Sequence, residues 1–566
     1  MLKGIPVSEG TGIGKAYVIK DSELKYEKRA VEDKESEKER FHDAVEEYCR
    51  RTDSAADCLS DSAPKEAEII RGHKIMIQDP FMISQMDSKI ENGSCAEEAA
   101  EEILDMFKEM FLAAEDELTQ QRAADVEDIK AGLLRVLLGV EEQNPADIPP
   151  GSVIITADLK PSMTANLDRN KICGIVTENG GKTSHSAILA RALELPAVLS
   201  VPDAVAAIET GMTVIVDGNE GIVIPNPDKE MQRQYERKQA AFVNEKKLLA
   251  AYAGRPTVTG DGQAKEVYCN IGNISDAVTT FEKTGEGIGL FRTEFLFMES
   301  TDSPEEDFQF EMYKKAAQLF EEGSVIIRTL DVGGDKNIAY LGMEQEDNPF
   351  LGFRAVRYCL ENKALFKTQL RAILRASAFG QIRIMIPLIT EVDEMRQVRK
   401  LIEEIKSELE SEGIDFDRDI PVGAMIETPA ANMIADLLAK ECDFFSIGTN
   451  DLTQYTMAAD RGNPKVSYLN DTYEPAVLRS IRHIIQCAKE AGIPVGMCGE
   501  AAADPMMTPL LLAFGLDEFS VNPASVLRTR YNISRWTKKE ANRIADIVMN
   551  LETAEEIRKY LKEANA

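Results

Sequence analysis

The most regular feature of the sequence is a series of short apolar runs in its C-terminal half. Eight such runs occur between residues 256 and 566, and stretches with helical spacing separate them. Apolar runs that alternate with helices are typical of buried parallel strands. Eight β/α units of this kind predict a (β/α)8 TIM barrel with insertions. The runs are residues 266–270, 287–291, 324–330, 381–387, 421–426, 443–447, 493–497 and 517–521.

The N-terminal half has a different pattern. Residues 1–20 are Gly-rich and β-like, and β-like runs return at 152–157, 172–177 and 213–217. The stretch between them is rich in Glu, Lys, Ala and Met, and its apolar residues follow helical spacing, which predicts a helical bundle. We expect two apolar stripes to form its core, although an exposed part of a stripe could dock a partner. They are Ile103, Met106, Phe107, Met110 and Phe111, and Val126, Ile129, Leu133 and Leu137.

These patterns divide the chain into four domains. A small α/β domain consists of residues 1–21 and 144–225, and the bundle of residues 22–143 is inserted into it. A charged helical stretch, residues 226–255, has no broad apolar face and is interpreted as a linker helix. Residues 256–566 form the predicted barrel. The predicted fold class is therefore multidomain α/β.

Polar side chains follow the ends of the predicted barrel strands, where TIM-barrel active sites lie. Guanidinium groups bind phosphate and carboxylate bidentately, and carboxylate oxygens are ligands for Mg²⁺. Glu427 and Asp451 are the candidate metal ligands, and Cys498 is a candidate proton donor or nucleophile. Surface ion pairs and a small buried apolar cysteine are the alternatives. The polar set is Arg292, Arg328, Asp331, Lys336, Arg354, Glu427, Asn450, Asp451, Arg461 and Cys498.

A second candidate site lies in the α/β domain, at Gly180-Gly181-Lys182-Thr183-Ser184-His185-Ser186. Glycines allow close approach of a ligand to the backbone, and hydroxyl residues cap the start of a helix. A helix N-terminus binds anions, so an imidazole at this position is well placed to carry a phosphoryl group. The alternative is an ordinary capped helix with a surface histidine.

Composition narrows the possible functions. The formal net charge of −32 argues against nucleic acid as a partner, because binding nucleic acid requires a basic surface. No stretch has the ~18 apolar residues of a membrane span, and no signal peptide is expected. The nine cysteines contain no C-x-x-C pair, which predicts neither a zinc site nor a disulfide framework. We therefore expect a cytoplasmic protein without membrane insertion.

Several longer motifs carry a family resemblance. The loop around His185 resembles the phosphohistidine loop of the phosphoenolpyruvate-utilising enzymes. The barrel motifs look like that family's barrel, and the domain order is similar to the Enzyme I family of the bacterial phosphotransferase system. The barrel motifs are Phe-Arg-Thr-Glu-Phe-Leu-Phe-Met from 291, Asp-Val-Gly-Gly-Asp-Lys from 331, Asn-Pro-Phe-Leu-Gly-Phe-Arg from 348, Phe-Ser-Ile-Gly-Thr-Asn-Asp-Leu-Thr-Gln-Tyr from 445 and Gly-Met-Cys-Gly-Glu from 496.

The resemblance implies a reaction. Phosphoenolpyruvate and Mg²⁺ would bind at the barrel mouth, His185 would take the phosphoryl group, and pyruvate would leave. The phosphoryl group would then pass to a histidine of the phosphocarrier protein HPr, in the first step of sugar uptake. The α/β domain would swivel, the bundle would bind HPr, and the barrel would form a homodimer.

The resemblance also implies roles for single residues. Cys498 would protonate the enolate carbon, Thr164 would orient the imidazole of His185, and Glu427 and Asp451 would bind the metal. The residues expected to bind substrate are Arg292, Arg328, Lys336, Arg354, Asn450, Asp451 and Arg461.

Two other functions are the alternatives. A phosphoenolpyruvate synthase or a pyruvate phosphate dikinase would need a nucleotide-binding module, and the first ~145 residues predict only a helical bundle. A non-catalytic signalling scaffold would be expected to lack His185, Cys498 or the metal carboxylates, and all of these are present.

Overall fold

The computed structural model describes residues 1–19, 24–59, 64–113, 117–140, 148–159, 168–181, 184–283, 286–298, 300–320, 323–333, 338–344 and 346–565. The chain forms two compact units, Met1–Lys246 and Lys247–Ala566. None of the described helices combines the length and the apolar character that a membrane crossing requires.

The first unit contains a mixed β-sheet built from both ends of its sequence. Eight strands occur in the described part of this sheet, in the order β1-β8-β7-β3-β4-β5-β6-β2, and strands β3 to β6 are mutually parallel. The strands are β1 (Leu2–Lys3), β2 (Ile5–Ser8), β3 (Thr11–Ile19), β4 (Ser152–Thr156), β5 (Ile172–Thr177), β6 (Ala197–Leu199), β7 (Thr213–Asp217) and β8 (Ile222–Pro225).

Successive residues of β4 face opposite sides of this sheet, as the period of a strand requires. Val153 and Ile155 belong to the apolar cluster on one face, and Ile154 belongs to the cluster on the other. Leu189 and Ala190 of the helix that follows β5 pack into the second cluster. This packing fixes the helix that begins at His185 against the sheet.

Five helices occur between β3 and β4 in the described residues: α1 (Lys34–Leu59), α2 (Pro64–Ile77), α3 (Pro80–Glu91), α4 (Ala96–Leu112) and α5 (Glu117–Leu138). Val126, Ile129 and Leu133 are buried in the bundle core, as the sequence predicted. Met106 and Met110 are not, because 41% and 59% of their surfaces are exposed. The prediction that the whole first stripe forms core was therefore wrong for these two residues. They lie on the solvent side of α4, where no described helix covers them.

Beyond β4, the described residues of the first half of the chain contain three further helices: α6 (His185–Ala192), α7 (Ala204–Ala207) and α8 (Lys229–Ala250). Within α8, which is described throughout, no residue is buried. This agrees with a charged helix that contributes little to a core.

The second unit is a closed barrel of parallel strands, in the order β10-β11-β12-β13-β14-β15-β16-β9. All eight predicted runs are strands of this barrel, which confirms the TIM-barrel prediction. They are β9 (Glu266–Ile271), β10 (Ile288–Arg292), β11 (Ser324–Arg328), β12 (Gln381–Ile386), β13 (Val422–Ile426), β14 (Phe445–Ile447), β15 (Val495–Met497) and β16 (Glu518–Val521).

Helices surround the barrel, and their apolar stripes pack on the outer faces of the strands. They are α9 (Ile274–Lys283), α10 (Glu294–Met298), α11 (Glu306–Leu319), α12 (Val356–Glu361), α13 (Lys363–Ala376), α14 (Val392–Glu412), α15 (Pro429–Met433), α16 (Ala435–Leu438), α17 (Thr449–Met457), α18 (Pro475–Ala491), α19 (Thr508–Phe514), α20 (Val526–Ser534), α21 (Lys538–Val548) and α22 (Ala554–Asn565).

The barrel interior has its own apolar layer. In β10, Phe291 packs in the outer cluster, whereas Leu290 packs in a separate cluster and therefore points inward. The other members of the inner cluster are Ile326, Met385, Met425, Phe444 and Cys498. This layer closes the barrel below its C-terminal face and gives that face an apolar floor.

Candidate active site

A cavity of about 340 Å³ lies at the C-terminal face of the barrel. Nine of the predicted polar residues line it: Arg292, Arg328, Asp331, Arg354, Glu427, Asn450, Asp451, Arg461 and Cys498. They come from strand ends and loops that are far apart in the sequence, and the parallel barrel brings those ends together. Lys336 and Thr164, which were also predicted, lie outside the described residues.

Arg328, the last residue of β11, is held by two carboxylates. Its Nη2 lies 2.6 Å from Glu294 Oε1, and its Nη1 lies 3.0 Å from Asp331 Oδ2. All three side chains are buried. A buried guanidinium requires such partners, because an unpaired charge in the interior is very costly. The paired carboxylates therefore fix where Arg328 presents its charge.

The chain of ion pairs continues to the other side of the cavity. Arg354 Nη2 lies 2.7 Å from Asp331 Oδ1 and 3.4 Å from Asp451 Oδ2, and Arg461 Nη1 lies 3.0 Å from Asp451 Oδ1. The ring centroid of Phe350 is 5.9 Å from Arg354 Cζ and 5.7 Å from Arg461 Cζ, within cation–π range. Arginines and carboxylates thus alternate along the wall, and a bound anion would compete with the carboxylates for the same guanidinium groups.

Glu427 follows β13 directly and is buried. Its Oε1 accepts a hydrogen bond of 2.8 Å from the Leu388 backbone N–H. Burial is the main cause that raises the pKa of Glu427 to about 8, and the nearby carboxylates of Asp451 and Asp331 act in the same direction. A divalent cation between Glu427 and Asp451 would remove this repulsion, so the donor set fits Mg²⁺.

The number of protein donors also matters for a metal. Among the described residues, no three His, Cys, Asp or Glu side chains are close enough together to bind an ion by themselves. Mg²⁺ commonly takes one or two protein carboxylates and fills its remaining positions with water and substrate phosphate. Glu427 and Asp451 match that arrangement, and it requires no third protein ligand.

Asn450 is fixed by a neighbouring loop. Its Oδ1 accepts a hydrogen bond of 3.2 Å from the Glu500 backbone N–H, with the amide orientation assigned from this contact. Because the oxygen is thus engaged, the amide nitrogen is the group of Asn450 that can donate to a bound ligand.

Cys498 follows the end of β15 and reaches the cavity from its apolar floor. Its Sγ lies 3.8 Å from the Ile447 carbonyl oxygen. Burial, the largest cause, raises the pKa of the Cys498 thiol to about 11. The group is therefore a neutral thiol near pH 7, which suits a proton donor better than a thiolate nucleophile.

The loop that precedes His185 is held by several hydroxyl groups. Ser184 caps α6 by accepting from the Ala187 N–H, and Ser186 Oγ donates to Asp158 Oδ1 at 2.9 Å. Gly180 has φ +106°, a conformation that residues with a Cβ rarely adopt. His185 is the first residue of α6, so it lies at the positive end of the helix dipole. Its imidazole is outside the described side chains.

Comparison with known proteins places this geometry in a family. The profile described as "PEP-utilising enzyme, PEP-binding domain" matches residues 246–538, the "mobile domain" matches residues 148–221, and the "N-terminal" domain matches residues 3–122. The chain belongs to the PEP-utilising enzyme family. The His185 loop lies within the match to the mobile domain, and the barrel cavity lies within the match to the PEP-binding domain.

Members of this PEP-utilising family with similar sequences cover the whole chain. A protein named phosphoenolpyruvate-protein phosphotransferase from Priestia megaterium is 43% identical over 99% of this chain and 98% of its own length. Proteins of the same name from Bacillus subtilis (strain 168) and Listeria monocytogenes are 43% and 44% identical, over 99% and 98% of both chains respectively. Like them, this chain is an enzyme.

Glu294 is a residue of the cavity that was not predicted from the sequence. Glu294 lies two residues beyond the predicted strand-end arginine Arg292, inside a motif that carries the family resemblance. The signal that could have found it was a carboxylate in the same motif as Arg292, since buried arginines require partners of opposite charge. Its pairing with Arg328 requires the three-dimensional adjacency of β10 and β11, which sequence spacing alone does not give.

Proposed function

We propose that this enzyme transfers the phosphoryl group of phosphoenolpyruvate to its own His185 and then to a histidine of the phosphocarrier protein HPr, releasing pyruvate. The observation that carries the proposal is the barrel cavity, where arginines, two candidate metal carboxylates and a neutral buried thiol converge. The printed names of the full-length relatives support it.

Substrate binding is assigned to the arginines of the cavity. Phosphoenolpyruvate carries a phosphate and a carboxylate, and guanidinium groups bind both bidentately. Arg328 is held rigidly by its two carboxylate partners, and Arg354 and Arg461 can exchange the carboxylate of Asp451 for substrate oxygens. Arg292, Asn450 and Lys336 complete the proposed set.

Catalysis divides between two groups of this chain. The His185 imidazole, oriented by Thr164, attacks phosphorus in line as the bond between phosphorus and the enol oxygen breaks. The electron pair of that bond remains on the oxygen of the departing enolate. The Cys498 thiol then gives its proton to C3, the enolate electron pair forms the new C–H bond, and the thiolate regains a proton from solvent. Mg²⁺ bound by Glu427 and Asp451 would neutralise phosphoryl charge during the transfer.

Turnover of phosphoenolpyruvate to pyruvate with HPr supplied tests the proposal. The expected result is one phosphorylated HPr for each pyruvate formed, with no nucleotide present. A synthase or dikinase, the alternative considered above, would instead need a nucleotide and would ignore HPr. Pyruvate formation that depends on nucleotide would therefore contradict the proposal.

The bundle, residues 22–143, is proposed as the HPr docking site. Its surface carries exposed apolar side chains, including Phe81 and Met110, which are 60% and 59% exposed. The ring of Phe81 packs edge-on against Phe107, with centroids 6.2 Å apart. Exposed apolar side chains that are held by their neighbours in this way are typical of docking surfaces.

Phe81→Ser should therefore raise the KM for HPr by about tenfold, because an apolar anchor of the docking surface is lost. Phosphorylation of His185 by phosphoenolpyruvate should not change. Steady-state transfer to HPr and self-phosphorylation by labelled substrate measure the two effects. Val243→Ser on α8, another exposed apolar position at 44% exposure, is the control. An unchanged KM for HPr in Phe81→Ser would argue against docking at this residue.

Magnesium binding should depend on pH because of Glu427. Its pKa is raised to about 8, so the carboxyl is largely protonated at neutral pH and must lose this proton to bind the ion. Affinity for Mg²⁺ should rise with pH through about 8 and level off above it. Titration calorimetry in buffers of different ionisation enthalpy should detect release of about one proton at neutral pH. Glu427→Gln should abolish that release, and its persistence in this variant would assign the proton elsewhere.

Dimerisation through the barrel and a cytoplasmic location also remain proposals. The first rests on the family resemblance, and the second rests on the cysteine pattern and on the expectation of no signal peptide. Sedimentation velocity of the full chain over a range of concentrations tests the first. A single monomeric species throughout would contradict it.

A further inference from the structure

The barrel closes where its last strand, β16, meets its first strand, β9, and a side-chain clamp bridges this seam. Asn270 of β9 donates from Nδ2 to the Cys498 carbonyl oxygen at 3.1 Å and to the Ser520 carbonyl oxygen at 3.3 Å. Ser520 Oγ donates back to Asn270 Oδ1 at 2.6 Å. The amide of Asn270 is thus engaged at both ends, and its orientation is fixed.

The clamp begins where regular strand pairing stops. β15 pairs with β16 through Gly496 and Met497, and no described pair continues to Cys498. The Cys498 N–H donates to the Ile447 carbonyl oxygen at 3.1 Å, on the β14 side. Its carbonyl is held from the opposite side by Asn270. The peptide groups on both sides of the Cys498 Cα are therefore hydrogen-bonded, one to the backbone of Ile447 and the other to the side chain of Asn270. Together they set the direction of the Cα–Cβ bond of Cys498.

The surroundings of Cys498 make this direction important. Below the thiol lies the apolar floor, with Leu290 and Met425, and above it lies the charged cavity. Proton transfer to carbon requires the donor hydrogen to approach one face of a planar enolate, and small displacements in such geometry have large effects on rate. An apolar residue at position 270 would leave the Cys498 carbonyl without the Nδ2 donor.

We propose that Asn270, fixed by Ser520, is a positioning residue that determines which face of the enolate receives the proton of Cys498. The inference rests on the proposed function, in which Cys498 is the proton donor. In this step the S–H bond breaks, a C–H bond forms at C3 from the enolate electron pair, and the thiolate regains its proton from water. Asn270 is not among the described residues that line the cavity, and it acts through the backbone of Cys498.

The test follows the stereochemistry of protonation. Phosphoenolpyruvate with one deuterium placed stereospecifically at C3 is turned over in tritiated water with HPr present, and the chirality of the pyruvate methyl group is determined. The wild-type enzyme should produce one configuration. Asn270→Asp keeps the side-chain shape but turns an oxygen toward two carbonyl oxygens. This variant should give a near-equal mixture of the two methyl configurations. The reason is that an enolate released without directed protonation takes a proton from solvent on either face.

Three further variants make the result decisive. Ser520→Ala removes one bond of the clamp and should give a partial loss of selectivity. Asn432→Ala also removes a buried asparagine of the barrel unit, one that donates to Ser480 Oγ at 3.0 Å, and should keep full selectivity. Cys498→Ser reports on the donor itself and should lose selectivity.

The outcomes separate the inference from the function on which it rests. Lost selectivity in Cys498→Ser with full selectivity in Asn270→Asp would overturn the role of Asn270. Full selectivity in Cys498→Ser would overturn Cys498 as the donor, and with it that step of the proposed function. If Asn270→Asp does not fold, Ser520→Ala decides: full selectivity there overturns the clamp, and partial loss supports it.

Discussion

His185→Ala should accept no phosphoryl group from phosphoenolpyruvate, while the protein still binds phosphoenolpyruvate with an affinity within about threefold of wild type. The His185 loop and the cavity belong to different units of the chain, so removing the imidazole should leave the arginines of the cavity unchanged. In the proposed reaction the neutral imidazole nitrogen is the nucleophile, and alanine has no group that can replace it. Incubation with ³²P-labelled substrate measures the first effect, and titration calorimetry measures the second.

The sequence offers a matched control for this experiment. His483 is an exposed histidine on α18, in the barrel unit, and His483→Ala should accept label as wild type does. Stoichiometric label on His185→Ala would assign the acceptor to another residue. Loss of both labelling and binding would instead show that the substitution acts through folding, which circular dichroism of the same sample would reveal.

Much of the barrel could be predicted from the sequence because its strands are buried on both faces. A strand such as β11, Ser-Val-Ile-Ile-Arg, faces the helices on one side and the barrel interior on the other, so it appears as a continuous apolar run. The predicted run, residues 324–330, extends two residues beyond the observed end of the strand at Arg328. Arg328 itself could be predicted as a site residue, since polar residues near strand ends mark the functional face. The sheet of the first unit was predicted as β-rich segments, but its strand order required the structure.

What could not be predicted depends on contacts between distant segments. Helical spacing placed Met106 and Met110 with Ile103, because all three follow one stripe, but spacing does not tell where the neighbouring helices stop covering that stripe. The contact between Asn270 and Cys498 could not be predicted for a similar reason. Asn270 and Cys498 are 228 residues apart, and only closure of the barrel brings them together.

The ion pairs of the cavity could not be predicted from the sequence either. The sequence predicted Asp451 as a metal ligand, but it did not indicate that Arg354 and Arg461 both contact this carboxylate. A single carboxylate thus contacts two of the arginines that we propose to bind substrate. Metal binding and substrate binding should therefore be coupled, because an ion that takes the oxygens of Asp451 leaves both arginines available to the substrate.

Glu427→Gln and Asp451→Asn should each lower kcat by about 10³-fold, since each removes a carboxylate from the proposed metal site. The two variants should differ in KM. Glu427 contacts the Leu388 N–H and no arginine within salt-bridge distance among the described residues, so its loss should act mainly through the metal. Asp451→Asn also removes the partner of Arg354 and Arg461, so the KM for phosphoenolpyruvate should change as well.

The measurement is the dependence of turnover on magnesium concentration at saturating HPr. Both variants should require much more magnesium for half-maximal rate, because a neutral amide is a far weaker ligand for this ion than a carboxylate. Glu518→Gln is the matched control. Glu518 is also a buried carboxylate of the barrel, and burial raises its pKa to about 8. It is the first residue of β16, so it lies at the end of the barrel opposite the cavity. It should leave the magnesium dependence unchanged. If Glu427→Gln and Asp451→Asn responded to magnesium as Glu518→Gln does, the metal ligands would have to be sought elsewhere in the chain.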